Sequence, residues 1–101
     1  MSLYAKLIFE WDPDKARRNR VKHQVSFELA REVWKDPLHV ILPDRTVDGE
    51  ERWHAVGMVG AVAVLVVVHT YPRGEDEQVI RIIGARKATS HERWRYEQQA
   101  I

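Results

Sequence analysis

Cysteine is absent from this 101-residue chain. That absence excludes a disulfide framework and thiolate metal sites, and it fits a reducing cytoplasm. Long apolar runs are missing too. The longest, Ala61 to Val68, is far too short to cross a bilayer, and no secretory signal precedes the first element, so a cytoplasmic protein without membrane contact is the expectation. There is almost no net charge: 16 Lys and Arg stand against 15 Asp and Glu, leaving +1. Such a balance argues against a uniformly basic nucleic-acid binder. The sequence has no GxGxxG or P-loop run, no GxSxG and no HExxH, so the chemistries those motifs serve lack their signatures. It also has no internal repeat and no low-complexity tract.

What is present reads as one ordinary domain over residues 1–101. Apolar residues make up 45% and charged residues 31%, enough for a modest core and too apolar for disorder. The charge is unevenly spread. Through Lys35 the chain is basic, from Asp36 to Thr70 it is acidic, and the remainder is nearly balanced. Any nucleic-acid contact must therefore be focused on a few cations.

Leu7 to Trp11 reads as a short strand. Asp12 is a good helix N-cap, and Pro13 at the first helical position loses nothing by lacking an N–H. The first helix is predicted from Pro13 to Lys22, lightly packed, with Ala16 its main apolar contact. Ser26 caps a second helix, Phe27 to Lys35, whose Phe27, Ala30, Val33 and Trp34 recur at helical spacing. Asp36-Pro37 ends it. Strands follow at Leu38–Leu42, Arg52–Val59, Ala61–Tyr71 and Gln78–Arg86, with polar loops at Asp44–Glu50 and Pro72–Glu77. Short links imply an antiparallel meander. Thr89 and Glu92 form a capping box for a third helix to Gln99. In the long strand Val62, Val64, Val66 and Val68 line one face, while Ala63, Leu65 and Val67 line the other. It is therefore central and covered on both sides. The class is α+β. Strand Val79–Ile83, nearer an edge, is expected to keep an apolar face open for a partner, together with the surface around Trp94 and Tyr96.

Two groups of residues could carry chemistry. Lys22-His23 closes a basic helix, where cations simply suit the helix dipole or else meet a phosphate diester. Arg52, His54, His69, Arg81 and Arg86 lie in or beside apolar strands, where charge is costly unless paired. They are either cross-strand ion pairs or a cationic cluster on one face. Strict alternation separates Arg81 from Arg86 unless Gly84 marks a bulge. Asp36, Asp44, Asp48, Glu50 and Glu51 have no metal-ligand spacing and read as turn residues, so no metal or cofactor is expected.

The segments "FEWDPDKARRNRVKHQVSFELA", "ERWHAVG" and "IRIIGARKATSHERWRYE", and the intervals between them, resemble the BrnT family of toxins across Phe9 to Glu97. The resemblance implies a RelE/ParE-like fold and metal-independent RNA cleavage. It also implies neutralisation by a BrnA-type antitoxin with a ribbon-helix-helix DNA-binding part, in a hetero-oligomer. The family's motifs fall on Lys22-His23, Glu51-Arg52-Trp53 and Gly84-Ala85-Arg86, which makes Lys22, His23, Arg52, Arg86 and Glu51 the candidates for catalysis. Arg73, matched by the resemblance, and the strand-borne His54 and Arg81 are the candidates for substrate binding. Arg52 and Arg86 would hold the phosphate with help from Lys22. His23 is the first choice for acid or base, with His54 and His69 in reserve and Glu51 as a further base. Two positions depart from the family pattern: Gln24 replaces a glycine helix cap, and Gly84 replaces a serine beside Arg86. Two other readings accompany this one. The domain could be a non-catalytic module that docks a DNA-binding partner and tunes repression, or it could bind single-stranded RNA through Arg52 and the adjoining Trp53.

Overall fold

The computed structural model describes residues 3–61 and 63–99; Val62, expected on one face of the long strand, lies outside them. A 3-10 turn, Leu3–Lys6, leads into strand β1, Ile8–Glu10. Helix α1, Pro13–His23, begins as the sequence dictates, with the Asp12 carboxylate accepting the Asp14 N–H at 2.8 Å. None of its residues is fully buried. It ends at Gln24, which takes up the left-handed conformation (φ 57°, ψ 29°) and donates its N–H to the Arg20 carbonyl. The Gln24 side chain also donates to the Val21 carbonyl. A glutamine thus closes the helix as a glycine would, at a backbone cost of about 1 kcal/mol that its side-chain bond partly offsets.

Ser26 caps α2, Phe27–Ala30, by accepting the Leu29 N–H at 3.0 Å. The expected single helix to Lys35 instead tightens into a 3-10 turn over Arg31–Lys35. The Pro37 that follows Asp36 forbids another α-turn, so the last carbonyls are satisfied by shorter-range bonds such as Asp36 N–H to Val33 C=O.

Strands β2 (Val40–Val47), β3 (Glu50–Val59), β4 (Ala63–Thr70) and β5 (Val79–Lys87) form the antiparallel meander, and β1 joins β5 in parallel. The sheet order is β1-β5-β4-β3-β2. One expected loop is a strand: β2 runs past Leu42 through an irregularity between Pro43 and Thr46, and pairs Thr46 with Glu51 and Val47 with Glu50. Only Asp48-Gly49 remains as the turn, with φ of 51° and 80°. Asp44, Arg45 and Thr46 are exposed on an edge strand, so no apolar alternation announced them.

The two faces of the sheet are covered differently. Phe27, Ala30, Val33 and Trp34 pack on Ala55, Leu65, Val67, Ile80, Ile82 and Ala85, building the main core. Trp34 meets Phe9 at 5.2 Å and Trp11 meets Phe27 at 5.9 Å between ring centres, edge to face. A side chain at Gly57 would lie 2.9 Å from Val33 Cγ1 and 3.0 Å from His39 Cβ, so only glycine lets α2 and its 3-10 extension approach β3 this closely. On the other face, helix α3 (Ser90–Gln99) sets Tyr96 against Val56, Val64 and Val66. Its capping box forms both bonds, Thr89 N–H to Glu92 Oε1 at 2.9 Å and Glu92 N–H to Thr89 Oγ1 at 3.1 Å. The central strand is thus covered on both faces over Val64, Leu65, Val66 and Val67 within the chain, while Val68 is only half-buried. Contrary to the expected open face on Val79–Ile83, Val79, Ile80 and Ile82 are buried in the chain itself, and of the expected α3 surface Tyr96 is buried while Trp94 stays 56% exposed.

Candidate functional site

Register decides which strand cations meet. Val68 pairs with Gly84 and His69 with Ile82, which leaves Ile83 as an extra residue in β5. The bulge resets the alternation, so Ile80, Ile82 and Ala85 all face the main core while Arg81 and Arg86 both lie on the α3 face. Ala55 faces the core, so Arg52 and His54 are on the α3 face as well. That face therefore carries rows that cross the strands: Val56, Val66 and Arg86; then Leu42, His54, Val68 and Gly84; then Arg52 level with Thr70, and Thr70 with Arg81.

α3 covers only the first of these rows. Beyond it lies an open cleft of about 370 Å³, lined by Asp44, Arg45, Arg52, His54, Val68 and Gly84 with Ile83. His54 Nε2 lies 3.4 Å from Asp44 Oδ2, both side chains about a quarter exposed. The missing side chain at Gly84 belongs to this cleft, and an added Cβ would meet nothing closer than 3.7 Å.

The cations on this face differ sharply in what they touch. Arg86 is clamped to Glu92 at 2.6 and 3.0 Å, a two-pronged pair that joins β5 to the first turn of α3. The Arg86 bond holds the Glu92 carboxyl down to about 2 against the opposing effect of burial, and Glu92 in turn raises Arg86. Arg81 pairs with Glu10 of β1 at 2.9 Å and lines a separate cleft with Trp11, Asp12 and Lys15. Arg52 has no ion pair or hydrogen bond among the described residues, and its Nε is buried. Thr70 Oγ1, in the same row, is likewise buried without a partner. A half-buried guanidinium left unpaired is uncommon enough to need a reason.

Several expected residues lie elsewhere. Glu51 shares the side of β3 that carries Trp53, and lines a cleft with Trp53, Tyr71, Glu75 and Glu77, across the sheet from Arg52. Trp53 leans on Tyr71 at 6.1 Å and offers no stacking surface beside Arg52. His69 is fully buried in the core, 5.0 Å from the Trp34 ring centre, and burial pushes its imidazole down to about 4. It is a neutral core residue and leaves the reserve. Arg73 is exposed in the β4–β5 loop, outside the cleft. Lys22 is exposed and His23 half-buried at the end of α1, and neither lines the cleft.

Four residues that matter were missed. Asn19 donates to the carbonyls of Ala85 and Val25 and accepts the Ala85 N–H, holding α1 along the part of β5 that short β1 does not reach. Lys22 and His23, three and four residues on, share that helix face. Asp36 accepts the N–H groups of Leu38 and Met58 and the hydroxyl of Tyr96. Burial alone would raise its carboxyl, but these donors leave it below its ordinary value; burial and the Asp36 bond push Tyr96 up to about 12. Asp44 and Arg45 lay in the supposed loop. The one available signal was Asp44 standing two residues after an apolar strand. Among the described residues no three His, Asp or Glu side chains gather into a metal-holding group, and no helix is long and apolar enough to cross a membrane.

The sequence model described as "Ribonuclease toxin, BrnT, of type II toxin-antitoxin system" matches residues 11–92. Among solved structures, the 1.1 Å crystal structure of the Brucella abortus ribonuclease toxin BrnT aligns with a TM-score of 0.65 and 20% identity, over 83% of this chain and 99% of that one. At that identity the likeness is one of fold. A comparison with curated proteins finds no match.

Proposed function

The chain belongs to the BrnT family, the ribonuclease toxins of type II toxin–antitoxin systems, and from that premise we propose that RNA is cut in the open cleft around Arg52 and His54. The unpaired Arg52 guanidinium carries this reading. Its Nε is buried without a partner among the described residues, and a phosphodiester is a counter-ion that arrives with the substrate. Arg45 lines the same cleft and adds a second cation.

The proposed reaction is attack of a ribose 2′-oxygen on the adjacent phosphorus. The O2′–P bond forms, the P–O5′ bond breaks, and the products are a cyclic phosphate and a 5′-hydroxyl. Negative charge grows on the non-bridging oxygens, where Arg52 and Arg45 stabilise it. His54 takes the 2′-hydroxyl proton, while Asp44 beside it orients the ring. The open cleft admits the water that protonates the leaving O5′. Arg86 supports this face through Glu92, and Lys22-His23 stands beside the β5 edge. The roles read from the resemblance for Lys22, His23, Glu51, Arg73 and Arg81 are not needed in this scheme.

Membership of a type II system implies an antitoxin partner and an RNA substrate. We further propose that the partner is a BrnA-type antitoxin with a ribbon-helix-helix part, that the fold is RelE/ParE-like, and that the toxin acts in the cytoplasm without metal. The test is cleavage of an RNA and of the same strand with 2′-deoxyribose at the scissile position, in the presence of a chelator. RNA should be cut to a cyclic phosphate and the deoxy strand should stay intact. Cleavage of the deoxy strand, or strict dependence on a divalent ion, contradicts the scheme.

A further inference from the structure

Beside the Arg52 cleft lies a second one, of about 270 Å³, between β2 and α3. Its walls are Val40, Leu42, Pro43, Val56 and Tyr96, and its rim, on the α3 side, carries Glu92, Arg95 and Gln99. His54 lines both clefts and forms the partition between them. We infer that this second slot seats a nucleobase next to the scissile phosphate and sets which RNA sequences are cut. The inference rests on the reading of the Arg52 cleft as the phosphate site.

The chemistry of the walls and the rim is that of a base. A nucleobase has two flat faces that prefer apolar surface and an edge of donors and acceptors. Leu42 is 44% exposed, an apolar side chain presented at the slot rather than packed away. Arg95 and Gln99 are four residues apart on α3 and so share one face of it. Neither has a hydrogen bond or ion pair among the described residues, whereas Glu92, one turn earlier, is taken by Arg86. The Gln99 amide both donates and accepts, and Arg95 only donates, so together they can read a base edge and not merely neutralise charge. In one nucleotide the base and phosphate are separated by a sugar. Two adjoining clefts divided by one side chain, cationic on one side and apolar with a polar rim on the other, match that layout. An apolar side chain of a protein partner would fit the walls, but it would make no use of Arg95 and Gln99, which no described residue engages.

The experiment is cleavage of a randomised RNA pool, with the cut ends sequenced, by the full-length protein and by an Arg95→Ala/Gln99→Ala variant. Both side chains are exposed, so the fold should be untouched. The wild type should show a base preference at a position flanking the cut. The variant should still cut the pool but lose that preference by about fivefold or more, the worth of one well-bonded base edge. An abasic ribose at the preferred position should slow the wild type by a similar factor and the variant hardly at all. Absence of any base preference in the wild type overturns the inference. An unchanged preference in the variant does so too, and if antitoxin binding then weakens, the slot belongs to the protein partner. Arg52→Ala serves as the parallel arm. If it cuts like the wild type, the phosphate reading has failed; if it is inactive while the double variant keeps its preference, the base slot alone has failed.

Discussion

Two halves of one sheet face carry arginines to different ends. Under α3, Arg86 is committed to Glu92, and the pair fastens the last helix to β5. In the open half, Arg52 has no counter-ion among the described residues, and its Nε and the Thr70 hydroxyl are both buried without a partner. The sequence presents both as a basic residue in an apolar strand. What separates them is the carboxylate supplied by the capping box of α3, which reaches one and not the other. A charged residue on a strand therefore reads as structural or functional only once its neighbours are known.

The largest effect that would break this comparison is on catalysis. His54→Ala should lower the cleavage rate by about a hundredfold to ten-thousandfold, the usual worth of a positioned acid or base. Its melting temperature should change little, because His54 borders clefts and not core. Single-turnover kinetics beside a thermal melt would check this, and near-normal cleavage would return His23 to first place.

A second effect belongs to the main core on the opposite face of the sheet. Folded His69 resists protonation down to about pH 4, whereas an unfolded imidazole takes a proton near 6.5. Its contribution is complete above pH 6.5 and is lost as pH falls toward 4, by up to about 3 kcal/mol. Glu92, held down to about 2, loses its own contribution only below about 4.5. Urea midpoints measured from pH 7 to pH 4 should therefore fall for the wild type and stay much flatter for His69→Gln. The slope is the readout, whatever the variant's absolute stability. Equal slopes would mean that the folded protein protonates His69 as readily as the unfolded chain does.

The smallest effect concerns neither half. Gln24→Gly relieves a left-handed φ and should stabilise the protein by less than about 1 kcal/mol, since the bond from Gln24 to Val21 is lost in exchange. Cleavage should not change, because the α1 terminus lies outside the cleft. A clear change in rate would tie Lys22-His23 to the reaction.

Much of the fold was legible because its signals are local. Asp12-Pro13, Ser26 and Thr89–Glu92 each mark a helix start, and unbroken valines mark a strand covered on both faces. Strict alternation separates Arg81 from Arg86 and leaves a bulge near Gly84 open; the extra residue is Ile83, next to it, and it brings both arginines to one face. The site was less legible because its determinants are not local. The expected loop at Asp44 is an edge strand whose exposed residues show no apolar alternation, so the Asp44–His54 contact was hidden. Glu51 seemed to belong with Arg52 because they are adjacent, but adjacent residues of a strand point to opposite faces. Family resemblance located Arg52 and Arg86 together; only the position of Glu92 distinguishes them.

The most direct test is the cleavage rate of Arg52→Ala and Arg86→Ala, each normalised to its folded fraction and measured side by side. Arg52→Ala should lose about a hundredfold or more in rate while melting like the wild type. Arg86→Ala should melt several degrees lower, for a loss of about 1–2 kcal/mol, with most of its cleavage retained per folded molecule. The account is contradicted if Arg52→Ala cuts RNA at the wild-type rate, or if Arg86→Ala loses cleavage equally while its stability is unchanged.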